Sequence, residues 1–146
     1  MINVAIVGAS SLGKEQMEYV KNECESLLKQ FIIDYGINNI TFISGGAKGV
    51  DTIAENMAKK LNITPDIKKP ETPHWEDQDG KIGFKTRNLM IADKCDILYC
   101  FPSKYSNEEC YHCGKSIPKH QVSGGCWTLK KAREMGKRVF LIQPKI

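Results

Sequence analysis

The sequence predicts an α/β fold, in which a single domain (residues 1–146) holds a mostly parallel sheet of five strands with helices on both faces. Two observations predict it. Short apolar runs alternate along the chain with segments whose apolar residues recur at spacings of three and four, which gives the order βαβαβαβαβ. Turns of glycine and other small residues separate several strands from the helices that follow them. Alternating strands and helices form parallel sheets covered on both faces.

The first half of the chain contains two strand–helix units. Ile2–Val7 is a short apolar run that ends at a glycine, as is typical of a buried strand. Lys14 begins a helix, whose apolar stripe consists of Met17, Val20, Cys24, Leu27 or Leu28, and Phe31. Ile40–Ser44 predicts a second buried strand, and the segment from Val50 to Leu61 has the clearest helical spacing of the chain.

The second half begins with a proline-rich polar stretch. We expect a short strand near Asp66–Lys68 and then a loop to about Lys81. A helix is predicted from Phe84 to Asp93, and "DILYCF" predicts a strong strand that ends before Pro102. After an irregular insert, "CWTLKKAREMG" predicts a last helix with Gly136 as its C-cap, and "KRVFLIQP" predicts the last strand.

Composition and charge limit the classes of function. The 146 residues are 41% hydrophobic and 26% charged, which is the composition of a globular domain. The net charge of +4 is mild, and the basic residues are scattered rather than clustered as in a dedicated DNA binder. No apolar run approaches the ~20 residues of a membrane helix, and the chain does not begin like a signal peptide. We therefore expect a cytoplasmic protein with no membrane partner, in which the six cysteines are thiols or metal ligands.

The glycine turns predict a ligand site at one edge of the sheet. Ligands of open parallel sheets bind beyond the carboxyl ends of the strands, and glycine lets the backbone approach a phosphate at a helix N-terminus. The predicted ligand-binding residues of the turns are Gly8, Ala9 and Ser10; Ser44, Gly45, Gly46 and Gly49; and Ser123, Gly124, Gly125 and Thr128. No turn has the ending of a P-loop or the G-x-G-x-x-G of a dinucleotide dehydrogenase, so neither class is predicted.

Three further residues are candidates for the same pocket. Asp51 opens the second helix, where it could cap the helix or accept hydrogen bonds from a ribose hydroxyl. Arg87 could form a surface ion pair or a bidentate pair with phosphate. Asn88 follows it early in the third helix and could also contact the sugar. These residues favour a nucleotide or another phosphorylated ligand.

The order of these motifs resembles the SLOG superfamily, which includes DNA-processing protein A and the Lonely Guy proteins. The stretches "SGGAKGVDTIAENMAK", "HW…GKIGFKTRNLMI", "CDILYCF" and "SGG…T" carry the resemblance over nearly the whole chain. Its YspA/YpsA-like branch has a Gly-Gly-Ala-x-Gly-x-Asp turn before a helix, followed by a Trp, a Gly-Lys and an Arg-Asn-x-x-Met helix. The matching residues here are Gly45, Gly46, Ala47, Gly49 and Asp51, then Trp75, Gly80, Lys81, Arg87, Asn88 and Met90.

The resemblance implies a Rossmann-like fold, a pocket for nucleotide-derived ligands, a homo-oligomer, and for some members a sensor role in phage-defence conflict. It does not imply the Lonely Guy reaction, which cleaves a nucleotide monophosphate between base and ribose. "SGGCWTLKKA" lacks the proline, the third glycine and the following glutamate of that motif. The DNA-processing branch binds single-stranded DNA, but the small basic excess makes nucleic acid a less favoured partner here.

The insert at residues 103–126 predicts a structural zinc site. Its ligands would be Cys110, Cys113, His120 and Cys126, with Cys100 as the alternative fourth ligand. Three thiolates and one imidazole form a closed tetrahedral site, which stabilises a loop and activates no water. Free thiols on a flexible loop are the alternative interpretation of the same cysteines.

Three functions therefore stay open. The first is a binding module for a nucleotide-derived ligand, which senses or sequesters it. The second is a nucleotide hydrolase that cleaves an N-glycosidic or phosphate-ester bond, for which Asp51 and Glu76 are weak candidates as general acid or base. The third is binding of single-stranded nucleic acid, which predicts an affinity that falls steeply with salt.

Overall fold

The computed structural model describes residues 1–102 and 124–142 of the chain. Its strands are β1 (Ile2–Gly8), β2 (Ile40–Ser44), β3 (Pro65–Ile67), β4 (Ile97–Phe101) and β5 (Arg138–Leu141). Its α-helices are α1 (Lys14–Tyr35), α2 (Val50–Lys60), α3 (Phe84–Lys94) and α4 (Gly124–Glu134), and a short 3-10 helix covers Ile37–Asn39. The strands and helices follow each other in the predicted order.

The five strands form one parallel sheet with the order β3-β2-β1-β4-β5. In the two central pairs, Ile2 of β1 lies beside Ile40 of β2, and Val4 of β1 lies beside Ile97 of β4. The chain moves outward from β1 to β3 and then returns to the other side of β1 to form β4 and β5. This confirms the predicted α/β fold of the Rossmann-like type.

Within the described residues, each face of the sheet is covered by two helices. On one face, Leu28 of α1 and Ala54 of α2 are fully buried in a cluster with Phe42 of β2. On the other face, Ile91 of α3 and Leu129 of α4 are buried in a second cluster with residues of β1 and β4. Since each fully buried Leu, Ile or Phe side chain contributes about 1.5–3 kcal/mol, these two layers hold the strand ends in place.

The structure begins α4 at Gly124, two residues before the predicted start at Cys126. Glycine is a poor helix former, so the sequence pattern favours the later start. The structure shows why the second residue of α4 is a glycine: a Cβ at Gly125 would lie 2.8 Å from the Cα of Gly8. Helix α4 thus packs its first turn directly on the end of β1. Among the described helices, none is long and apolar enough to cross a membrane.

Candidate functional site

A cavity of about 550 Å³ lies at the carboxyl end of β1, beside the first turns of α2, α3 and α4. The neighbouring strands β1 and β4 are followed by helices on opposite faces of the sheet, which opens a crevice at this edge. The cavity is lined by Val7, Gly8, Ala9, Ser10, Ser11, Ala47, Asp51, Trp75, Phe84, Arg87, Asn88, Ile91, Gly125 and Thr128. Its location is the one expected from the glycine turns.

The glycines of the turns bring backbone segments into contact with each other. A Cβ at Gly8 would lie 2.2 Å from the carbonyl oxygen of Phe101, and a Cβ at Gly49 would lie 2.3 Å from that of Ala9. The N–H of Val50 also donates to the carbonyl oxygen of Ala9 at 3.0 Å. These glycines therefore join the β1 and β2 turns to each other and to β4, and Gly8 and Gly125 line the cavity as well.

Asp51 lies in the first turn of α2 and is 6% exposed. Its Oδ2 accepts a hydrogen bond from the N–H of Ala47 at 3.2 Å. Burial raises the pKa of Asp51 to about 6, although the Ala47 hydrogen bond and the charge of Arg87 act in the opposite direction. The cavity thus contains a carboxyl group that changes its charge close to neutral pH.

Arg87 and Asn88 form a buried polar pair on α3, with exposures of 7% and 5%. The Arg87 Nε donates to the Asn88 Oδ1 at 2.7 Å. The Arg87 Nη1 donates to the carbonyl oxygen of Gly45, with a longer contact of 3.5 Å to that of Lys68. Within the described residues, the hydrogen bonds of this pair leave the Arg87 Nη2 and the Asn88 Nδ2 for a ligand.

The loop of residues 74–77 caps the start of α3. The N–H of Phe84 donates to the carbonyl oxygen of His74 at 2.9 Å, and the N–H of Lys85 donates to that of Trp75 at 3.0 Å. Asp77 Oδ1 accepts from the N–H of Gly83 at 2.9 Å and from the Thr86 hydroxyl at 2.7 Å. Because the loop satisfies these N–H groups, α3 contributes side chains to the cavity rather than a helix N-terminus.

Two tryptophans stand beside the cavity. Trp75 lines it and is 40% exposed. Its ring meets that of Trp127 on α4 edge to face, at 4.9 Å between centroids and 85° between planes. The Lys131 ammonium lies 5.3 Å from the Trp127 ring centroid. Phe84 is the second aromatic residue of the cavity lining, with the Arg87 guanidinium 5.5 Å from its ring centroid.

The structure brings together many, but not all, of the residues predicted from the sequence. Those that line the cavity are Gly8, Ala9, Ser10, Asp51, Arg87, Asn88, Gly125 and Thr128. Ser44, Gly45, Gly46 and Gly49 are not among its lining residues, and the Ser44 hydroxyl instead donates to Glu55. Gly124 begins α4 outside the lining, and Ser123 lies outside the described residues. Glu76 also stays outside, because its exposed carboxylate pairs with Lys85 at 3.5 Å.

Sequence reasoning did not assign Trp75 and Phe84 to the site. Two features of the sequence could have indicated Trp75: a tryptophan is unexpected in a proline-rich polar loop, and Trp75 matches the tryptophan of the YspA/YpsA-like motif. For Phe84, the sequence pattern predicts only the first residue of a helix. Both reach the cavity because the loop folds back over the start of α3, and hydrogen bonds of that kind leave no periodic pattern in the sequence.

The cysteines of the predicted zinc site divide into two groups. Cys110, Cys113 and His120 lie outside the described residues. Cys126 is 1% exposed and Cys100 is fully buried, and both belong to the apolar cluster under α4. Within residues 1–102 and 124–142, no group of three or more metal-binding side chains is present. The zinc site stays a prediction, and the described structure gives Cys126 a packing role.

Comparison with known proteins adds structural neighbours. No protein-family model matches the sequence, and no curated protein matches it. DNA processing protein A from Streptococcus pneumoniae has a similar structure, with a TM-score of 0.67 and 21% identity over 100% of this chain and 52% of that chain. TM1055, a structural genomics target, has a TM-score of 0.64 and 15% identity over 95% of this chain and 72% of that one.

A third neighbour is DNA processing protein A from Helicobacter pylori, which is described as binding single-stranded DNA. Its TM-score is 0.62, with 18% identity over 99% of this chain and 66% of that chain. These neighbours share the fold of this chain. The chain spans 52% of the Streptococcus pneumoniae protein, so that protein's activity is not transferred with the fold.

Proposed function

We propose that this chain binds a nucleotide or a nucleotide-derived phosphorylated ligand in the cavity, and that it acts in the cytoplasm as a sensor or sequestering protein. The observation that carries the proposal is the combination, in one cavity of about 550 Å³, of the buried Arg87–Asn88 pair and an aromatic wall. Volumes of roughly 300–1,000 Å³ are typical of small-molecule sites. Arg87 would bind phosphate, and Asp51 or Asn88 would bind the sugar.

The fold supports the resemblance to the SLOG superfamily. DNA processing protein A, which the resemblance includes, is among the structural neighbours. Membership of the YspA/YpsA-like branch is our proposal, as is a role in nucleotide signalling or phage-defence conflict. It rests on the succession of motifs from Gly45 to Met90, of which Asp51, Trp75, Arg87 and Asn88 line the cavity.

Isothermal titration of the full chain tests the proposal. AMP, a 3′,5′-cyclic nucleotide and ADP-ribose are titrated in turn, and at least one is expected to bind. Arg87→Lys keeps the charge but loses Nη2, the guanidinium nitrogen left for phosphate, and the planar group that the Asn88 and Gly45 hydrogen bonds hold in place, so affinity should fall by about tenfold or more. Arg138→Lys makes the same change on the exposed side of β5 and should leave affinity unchanged. Absence of binding for all three ligands would refute the proposal.

A second candidate function is nucleotide hydrolysis. It is favoured by the Asp51 carboxyl, whose pKa of about 6 is suitable for general acid or base work at neutral pH. Nucleoside monophosphates are incubated with the protein, and released base, ribose 5-phosphate and phosphate are separated by chromatography. A hydrolase that uses Asp51 should lose its activity in Asp51→Asn, whereas Glu76→Gln should change little because Glu76 lies outside the cavity.

A third candidate function is binding of single-stranded DNA, as described for the Helicobacter pylori neighbour. The net charge of +4 permits it. Binding of a labelled oligonucleotide is measured at two salt concentrations, together with competition by AMP. An affinity that falls steeply with salt and is insensitive to AMP would favour DNA over a small nucleotide as the ligand.

We also propose a homo-oligomer and a structural zinc ion. Native mass spectrometry of the full chain measures the subunit count, bound zinc and any co-purified nucleotide together. Cys113→Ser should lose the metal, because it removes one thiolate of the predicted set. Cys126→Ser tests the fourth ligand: full zinc content in this variant would favour Cys100 instead.

A further inference from the structure

Trp75 has an unusual combination of exposure and restraint. Its indole is 40% exposed although tryptophan is largely buried in most proteins. Its carbonyl oxygen accepts from the N–H of Lys85 at 3.0 Å, so its backbone is fixed to the first turn of α3. Its ring is held at 4.9 Å from that of Trp127. An exposed ring held at two points has already lost the mobility that a ligand would otherwise have to suppress.

The geometry of the pair leaves ring surface for a ligand. In an edge-to-face contact, one ring contributes its edge and the other one face, so Trp127 covers at most one face of Trp75. On α4, the Lys131 ammonium lies over the Trp127 ring and supports it. Trp127 thus acts as a support, and Trp75, which lines the cavity, carries the available surface.

The positions of the polar groups in the cavity determine how a bound ligand would be oriented. Arg87 lies two positions after Lys85, the residue whose N–H holds Trp75, so the cation and the indole belong to one rigid unit at the start of α3. Asp51 faces the cavity from α2. A ligand with a phosphate on Arg87 and a sugar near Asp51 or Asn88 would therefore extend its third part along the α3–α4 side, where Trp75 lies.

From this placement we propose that Trp75 is the base-binding residue of the cavity, on which the aromatic base of a nucleotide stacks. This inference rests on the proposed function and narrows its ligand class to molecules with an aromatic base. Sugar phosphates without a base would then bind through Arg87 and the sugar-binding Asp51 or Asn88, but without the contribution of Trp75. Stacking on an aromatic side chain contributes about tenfold to a hundredfold in affinity per base.

The test compares ligands with and without a base. The full chain and Trp75→Ala are titrated with the four ribonucleoside 5′-monophosphates and with ribose 5-phosphate. The wild-type chain should bind at least one of the nucleotides roughly tenfold to a hundredfold more tightly than ribose 5-phosphate. Trp75→Ala should remove that preference while it keeps the affinity for ribose 5-phosphate. An unchanged preference in Trp75→Ala would overturn the inference.

Fluorescence gives a second measurement, because Trp75 and Trp127 are the two tryptophans of the chain. In Trp127→Phe the emission comes from Trp75 alone, and nucleotide binding should quench it more than ribose 5-phosphate does.

A conservative variant separates an aromatic ring from a merely structural role. Trp75→Phe keeps an aromatic face and should retain part of the preference for nucleotides over ribose 5-phosphate. Equal binding of ribose 5-phosphate and nucleotides would refute base stacking but leave the phosphate site intact. Absence of binding by all five ligands would refute the inference. If a 3′,5′-cyclic nucleotide and ADP-ribose also fail to bind, the proposed function is refuted as well.

Discussion

Helices α2 and α3 both begin beside the cavity, and their first turns differ in how they use an aspartate. At α3, Asp77 lies in the preceding loop, where its exposed carboxylate accepts hydrogen bonds from Gly83 and Thr86. These bonds hold the pKa of Asp77 below its ordinary value. At α2, Asp51 lies inside the helix and faces the cavity, and burial raises its pKa to about 6. Asp77 therefore stabilises the start of α3. The burial of Asp51 instead destabilises the folded state when its carboxyl is ionised.

A helix N-terminus beside a cavity is not by itself a phosphate site, because its N–H groups can already be bonded within the protein. The first N–H groups of α3 bind the loop of residues 74–77, and the N–H of Val50 in α2 binds Ala9. The Asp51 carboxylate adds negative charge at the start of α2. The anion is therefore expected at the Arg87 guanidinium, and Asp51 is better suited to hydroxyl groups of a sugar.

The largest effect is expected for Gly49→Ala, at the turn that leads into α2. Gly49 has φ +81°, and a Cβ there would lie 2.3 Å from the Ala9 carbonyl oxygen. Strain and overpacking together should lower the free energy of unfolding by about 3 kcal/mol or more, measured by urea denaturation. Gly136→Ala is the matched control, since Gly136 also has φ +81° but meets no atom within 4 Å. It should cost only about 1–2 kcal/mol, and equal losses would contradict the steric argument.

The second effect concerns Gly83→Ala, at the turn that leads into α3. A Cβ there would lie 2.5–2.7 Å from the carbonyl oxygens of His74, Trp75 and Glu76. The loop should shift, lower the free energy of unfolding by about 2 kcal/mol and weaken nucleotide binding through Trp75. Gly13→Ala is the control, because Gly13 is also an N-cap glycine but its nearest contact is 3.8 Å away. Weaker nucleotide binding in the control as well would show that the effect is not specific to the loop.

The sequence predicted the fold well because the fold depends on local patterns. The stripe from Val50 to Leu61 and the run Ile40–Ser44 each determine one element and its buried side, and the structure has both elements at those places. The site was harder to predict. The Ser44 hydroxyl donates to Glu55 instead of lining the cavity. The Trp75 indole lines the cavity because backbone hydrogen bonds join its loop to the start of α3. Such contacts join separate segments of the chain, so the spacing of residue types along the sequence does not predict them.

The third effect is a pH dependence that Asp51 introduces. Its folded-state pKa of about 6 lies above the value near 4 of an unfolded chain, so the folded state binds more protons between these values. Stability should therefore fall as pH rises from 4 to 6. Asp51→Asn removes this loss, so relative to wild type it should gain about 2 kcal/mol between pH 4 and pH 7, since a pKa difference of one corresponds to about 1.4 kcal/mol and part of the effect of a difference of about two lies below pH 4. Urea denaturation at both pH values checks this, and a constant difference would contradict it.

The smallest effect is expected for Asp77→Asn, and its sign is opposite to that of Asp51→Asn. The pKa of Asp77 is lowered by the hydrogen bonds from Gly83 and Thr86, so its contribution to stability is present above the unfolded-state pKa near 4 and disappears as pH falls below it. Asp77→Asn should therefore be slightly less stable than wild type at pH 7, and the difference should shrink as the pH falls through the lowered folded-state pKa of Asp77.

Because Asp77 is exposed, added salt should reduce this difference, whereas the pH dependence due to buried Asp51 should change little. Urea denaturation of Asp77→Asn and Asp51→Asn in low and high salt measures both. Responses of the same sign to pH in the two variants would mean that the two helix starts are alike, and that the difference between a capping aspartate and a cavity aspartate does not hold.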